Sequence, residues 1–177
     1  MRLPPARRTV PAMTPAPPLL PLWPTLEAAW GEAAPELLEA RLAPNEENVD
    51  ALSEGAELML EALRCILATA TEPELLAFDR ELEKALYDLD RAQIQEATDG
   101  SDDGFLYARG FIVAMGEAYF RAVDADPSRA ILDAELEELC YLPWHLYADK
   151  FGEAPASTIS RETRSNHAGW GTQAEPG

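Results

Sequence analysis

Residues 105–123 are apolar on almost every side, and no other segment constrains the fold as strongly. Phe105, Ala108, Ile112, Met115, Tyr119 and Val123 fall on one helical face, while Leu106, Phe111, Val113 and Phe120 occupy much of the remainder. A helix of this kind is stable when other helices enclose it, so the pattern predicts a bundle with this segment at its centre. Gly110 and Gly116 inside it cost about 1 kcal/mol each relative to alanine. That cost predicts the close approach of a neighbouring backbone.

The flanking sequence is helical in the same sense, and strand signals are nearly absent. A first short helix is expected from about Leu22 through Trp30, with Pro24 in its opening turn and a further turn opened by Pro35. Asn45 or Asn48 can cap the next helix, whose stripe is Leu52, Ala56, Met59, Leu63 and Ile66. Thr71 and Glu74 stand at capping-box spacing, ahead of a stripe made by Leu75, Phe78, Leu82, Leu86 and Leu89. These two helices are expected to pack antiparallel across their short connection. Asp126-Pro127 stops the central helix, which is read as continuous to Val123, and starts a short helix through Leu132. A last helix over 135–151 carries Pro143, where a kink is expected, and Gly152 suits its C-terminal cap. The expected class is all-α, a single compact bundle of about five to six helices over residues 22–152.

Both ends read differently. Eight of the 15 prolines fall in residues 1–24, so the leader over 1–21 is expected to be disordered. Those prolines also argue against Arg7-Arg8 as an export signal. Residues 153–177 have Ile159 and Trp170 as their large apolar groups and are expected to form a flexible tail, with Trp170 incidental.

The formal charge is −18, and residues 25–152 carry 9 basic against 29 acidic side chains. A surface this negative repels phosphate backbones and anionic lipid, so neither nucleic acid nor membrane is expected as a partner. It attracts a basic protein. Cys65 and Cys140 are too few for a disulfide framework and are expected as reduced, core or half-buried thiols of a cytoplasmic protein.

The sequence contains no recognisable catalytic, nucleotide-binding or metal-binding motif. His145 and His167 are the two histidines, and neither sits in a triad-like setting. No catalytic residue, metal site or cofactor is expected. The densest polar group is Asp99, Ser101, Asp102, Asp103 and Gly104. It imitates the start of an EF-hand loop, but the twelfth position, which must supply a bidentate carboxylate, is Gly110. The favoured reading is a helix start. Ser101 caps, Asp102 and Asp103 face the positive end of the dipole, and Arg109 reaches Asp103 or Glu117. Ser101, Asp102, Asp103 and Arg109 are kept as a candidate ligand site. An enzyme or metal-binding domain built on Asp99, Ser101, Asp102 and Asp103 is the alternative to a protein-interaction module.

Ser101-Asp102-Asp103-Gly104-Phe105, followed by Tyr107 and Arg109, Gly116, Asp126-Pro127 and an acidic final helix, resembles a bacterial family known as domain of unknown function 4240. The likeness spans about residues 22–152 and takes in Trp23. It implies an all-helical bacterial domain and no established activity. The chain departs from the family's Trp-Asp-Leu-Trp at Tyr87-Asp88-Leu89-Asp90, and from its Tyr-Phe-Arg at Ala108.

Overall fold

Seven α-helices and no strand make up the described residues: α1 Leu22–Ala33, α2 Val49–Ala68, α3 Glu72–Asp88, α4 Ala92–Thr98, α5 Asp102–Ala114, α6 Glu117–Ala125 and α7 Glu137–Phe151. The structure is a computed structural model that describes residues 20–98 and 100–171, with Asp102 and Asp103 described in their backbone alone. The leader expected over 1–21 therefore lies outside the described residues apart from Leu20 and Pro21. Residues 172–177 and Asp99 lie outside as well.

The helix number exceeds the expected five to six for two local reasons. Gly116 adopts φ +97°, a backbone conformation that L side chains rarely take, and splits the expected long helix into α5 and α6. The carbonyls freed at the end of α5 find donors elsewhere. The Trp30 indole N–H donates to Ala114 O at 2.7 Å, and the Arg41 guanidinium donates to Met115 O at 2.7 Å. Arg41 in turn pairs with Glu27. The second addition is α4, whose seven residues bury Ile94 and Thr98. The helix expected from Pro127 through Leu132 shrinks to one 3-10 turn, Pro127–Arg129, with Ser128 N donating to Asp126 Oδ1 at 3.2 Å.

The signals at the start of α3 and the end of α7 hold, and the one ahead of α2 does not. The Thr71–Glu74 capping box opens α3, with Thr71 N donating to Glu74 Oε2 at 2.8 Å. Gly152, at φ +89°, closes α7 by donating to Ala148 O. Neither asparagine ahead of α2 caps it with a side chain; Asn45 Oδ1 accepts from Glu47 N and Asn48 N to shape the preceding turn.

Packing departs from the expected α2–α3 pair. α2 lies chiefly on α1, while α3 and α5 both pack on α7. Gly55 is the reason that α1 and α2 meet closely: a Cβ there would stand 3.0 Å from the Trp30 ring. α5 is the enclosed helix, with Phe105, Leu106, Ala108, Phe111, Ile112, Val113 and Ala114 all buried. Gly110 supplies the close approach that its position predicts, since a Cβ would lie 2.5 Å from Leu136 O and 2.7 Å from Cys140 Sγ. Cys140 is buried and Cys65 exposed, the latter unlike the half-buried thiol expected.

Of the residues expected as a flexible tail, the structure describes those as far as Gly171. Residues 160–170 form a strap back across α3, α5 and α7, held mainly by hydrogen bonds to buried carboxylates.

Candidate functional site

The Ser101 turn is built as a helix start. Ser101 Oγ accepts from Gly104 N at 3.1 Å, and Ser101 itself is exposed. Asp102 and Asp103 occupy the first two positions of α5. Gly104 is tightly covered: a Cβ there would be 2.5 Å from Glu135 Oε1.

Arg109 is elsewhere. It is fully buried on α5 and donates to Leu86 O at 2.7 Å and to Thr163 Oγ1 at 3.1 Å. Its guanidinium carbon lies 4.7 Å from the Phe105 ring centroid. Of the two expected contacts, the one with Asp103 lies outside the described side chains, and the one with Glu117 does not form: Arg109 is enclosed and Glu117 pairs with Arg121 at 2.6 Å. Burial lowers the Arg109 pKa from its ordinary value, and the charge of Asp90 opposes that shift. Ser101 and Arg109 thus belong to different surroundings, one wet and one enclosed.

Around Arg109 runs a seam of buried polar groups absent from the sequence expectations. Asp79 Oδ1 accepts from Arg161 at 2.9 Å, and Arg161 also donates to Cys140 O. That carbonyl is one residue beyond Leu139 O, the acceptor deprived of its helical donor by Pro143. Asp90 is fully buried. Its carboxylate accepts from Arg164 N at 3.0 Å, Asn166 N at 2.8 Å and Trp170 Nε1 at 2.9 Å. Trp170 stands edge-on to Phe105, ring centroids 5.9 Å apart. The available signal was the placement of Asp79 and Glu83, one turn apart on α3 beside the stripe of Leu75, Phe78 and Leu82. Burial also pushes the Cys140 thiol up to about 12.

A separate groove of about 380 Å³ opens between α2 and the start of α7. Glu57 and Glu61 stand on one side and Glu135, Glu137 and Glu138 on the other, with Leu60, Leu136, Tyr141 and His145 completing it. All five glutamates are exposed. Arg64 pairs with Glu138 at the rim. His145 lies against the Tyr141 and Trp144 rings, centroids 6.0 and 5.1 Å away. Through Glu135 the groove adjoins Gly104 and the Ser101 turn. Among the described residues no three Asp, Glu, His or Cys side chains converge as a metal-holding group. The groove's acids stand on its two sides, Glu57 and Glu61 facing Glu135, Glu137 and Glu138.

No described helix is long and apolar enough to cross a membrane. No curated protein and no solved structure matches the chain. The pattern of one family, described as a protein of unknown function (DUF4240), matches residues 45–149. The match is narrower than the likeness read over 22–152, and it leaves Trp23, α1 and the strap outside. It still covers more than half of the 177 residues, and the chain belongs to that DUF4240 family.

Proposed function

We propose that this protein is a non-catalytic interaction module of the bacterial cytoplasm that docks a basic partner protein on its acidic face. The observation that carries this reading is the groove between α2 and α7, where five exposed glutamates stand together and Glu138 shares its charge with Arg64 at the rim. Long-range attraction to lysine and arginine side chains follows from such a surface, and with it fast, salt-sensitive association. Nucleic acid is disfavoured on the same charge grounds.

The experiment is capture of partners from the native cytosol at low and high salt, with the wild type beside a Glu57→Gln/Glu61→Gln/Glu137→Gln variant. A basic protein should be retained at about 0.1 M salt and lost near 1 M, where the screening length falls from about 10 Å to about 3 Å. The variant should lose it at low salt. Retention indifferent to both salt and substitution would refute the proposal. Calorimetry with Ca²⁺, Mg²⁺ and Mn²⁺ examines the alternative built on Asp99, Ser101, Asp102 and Asp103, for which Asp103→Asn should abolish any heat of binding.

A further inference from the structure

We infer that the seam beneath residues 160–170 is a peptide-recognition site, and that the strap is its displaceable internal occupant. The inference is independent of the glutamate groove. Four fixed elements hold the strap, and each has a defined chemical preference. Asp79, with Glu83 beside it, takes the guanidinium of Arg161. Asp90 takes two backbone amides, those of Arg164 and Asn166, and the indole N–H of Trp170. Arg109 donates to the Thr163 hydroxyl, and Phe105 meets the Trp170 ring.

Asp79, Asp90, Arg109 and Phe105 all lie inside the family span of 45–149, whereas the strap lies beyond it. The seam and its occupant therefore lie on either side of the family span's end. Buried charges without partners are costly, so an empty seam would have to be wet or be filled by something of the same chemistry.

The strap is attached in a manner that permits release. Of residues 153–171 only Arg161 is buried. Between residues 154–162 and helices α3 and α7 a cleft of about 430 Å³ remains, lined in part by Arg80, Glu83, Tyr141 and Trp144. Its packing on the core is made by Ala154 and the half-buried Trp170, and its polar contacts can be exchanged for water or for an equivalent segment. The partner that fits is a peptide in trans that takes up the strap's own turn and 3-10 helix, His167–Gly169, with an arginine, backbone amides three and five residues later, and an indole nine residues later.

Two measurements on the full chain test this. In hydrogen exchange, the Arg164 and Asn166 amides should open at least about 100-fold more readily than the amides of α5, as a locally detachable unit does. A fluorescent peptide of residues 156–171 should bind an Arg161→Ala/Trp170→Ala chain at least about 10-fold more tightly than the wild type, because self-occupancy reduces apparent affinity by the closed fraction. Adding Asp90→Asn should remove that gain. Exchange of the two amides in step with α5, equal or absent peptide binding, or failure of the double variant to fold would each overturn the inference. The last outcome would make the strap part of the core.

Discussion

The two ends of α5 are closed by different means. At its C-terminal end, Trp30 is fully buried among apolar side chains and points its indole N–H at Ala114 O. At its N-terminal half, Phe105 is met by Trp170, a residue of similar size that is half-buried and anchored through Asp90. One closure comes from apolar burial, worth roughly 1.5–3 kcal/mol per large side chain, and the other from polar contacts with a net worth nearer 1 kcal/mol each. Two tryptophans thus cover the two ends of α5 with different degrees of burial.

The largest expected effect tests the permanent side. Trp30→Ala should cost about 3–5 kcal/mol, the range for emptying a buried aromatic site, and it also strips Ala114 O of its donor. Chemical denaturation measures it. A loss under about 1 kcal/mol would erase the contrast between the two closures.

Arg161→Ala is next. A permanently buried ion pair broken from one side costs about 3–5 kcal/mol, because the surviving charge remains enclosed. Here Asp79 should become hydrated as the strap lifts, so the expected loss is about 1–3 kcal/mol. A value at the top of the buried-pair range would place the strap with the core and collapse the comparison.

Thiol chemistry sharpens the same contrast without a substitution. Cys140 Sγ sits against Gly110 under α5, and its raised pKa means that the unfolded chain loses the thiol proton before the folded one does. Stability should therefore decline as pH rises from the ordinary thiol value of about 9 toward about 12. Below pH 9, alkylation should label Cys65 promptly and reach Cys140 at the rate of global opening. Mass spectrometry of a labelling time course reads both. Labelling of the two sites at one rate would mean that α5 is far less enclosed than its burial indicates.

What was legible in the residues follows the same division. Apolar spacing at Leu75, Phe78, Leu82 and Leu86 located α3, and Thr71 with Glu74 marked its start, because helix period and capping are local properties. The break at Gly116 was hidden because the apolar pattern continues through it to Val123. The α1–α2 pairing was hidden because it depends on Trp30 fitting over Gly55, a match between distant residues. The strap was least legible: Asp90 binds amides more than 70 positions away, and backbone donors have no sequence signature. The Ser101–Gly104 cap bond is legible because it is local, whereas the enclosure of Arg109 is not, because it depends on Leu86 and Thr163, far away in the chain.

Ser101→Ala should produce the smallest effect, and it bears on which half of the motif matters. The substitution removes the acceptor of the Gly104 amide at the start of α5. Loss of such a cap costs about 0.5–2 kcal/mol. Ser101→Asp should restore most of it, since aspartate caps as well as serine and adds a charge favourable to the helix dipole. Thermal melts of the two variants against the wild type make the measurement. Partner capture on the glutamate groove should be unchanged in both, because the cap acts on the stability of α5 and leaves the exposed carboxylates in place. If Ser101→Ala instead abolished capture while the melt stayed within about 0.3 kcal/mol of wild type, the serine would be contacting the partner, and the turn would belong to the interaction surface rather than to the helix.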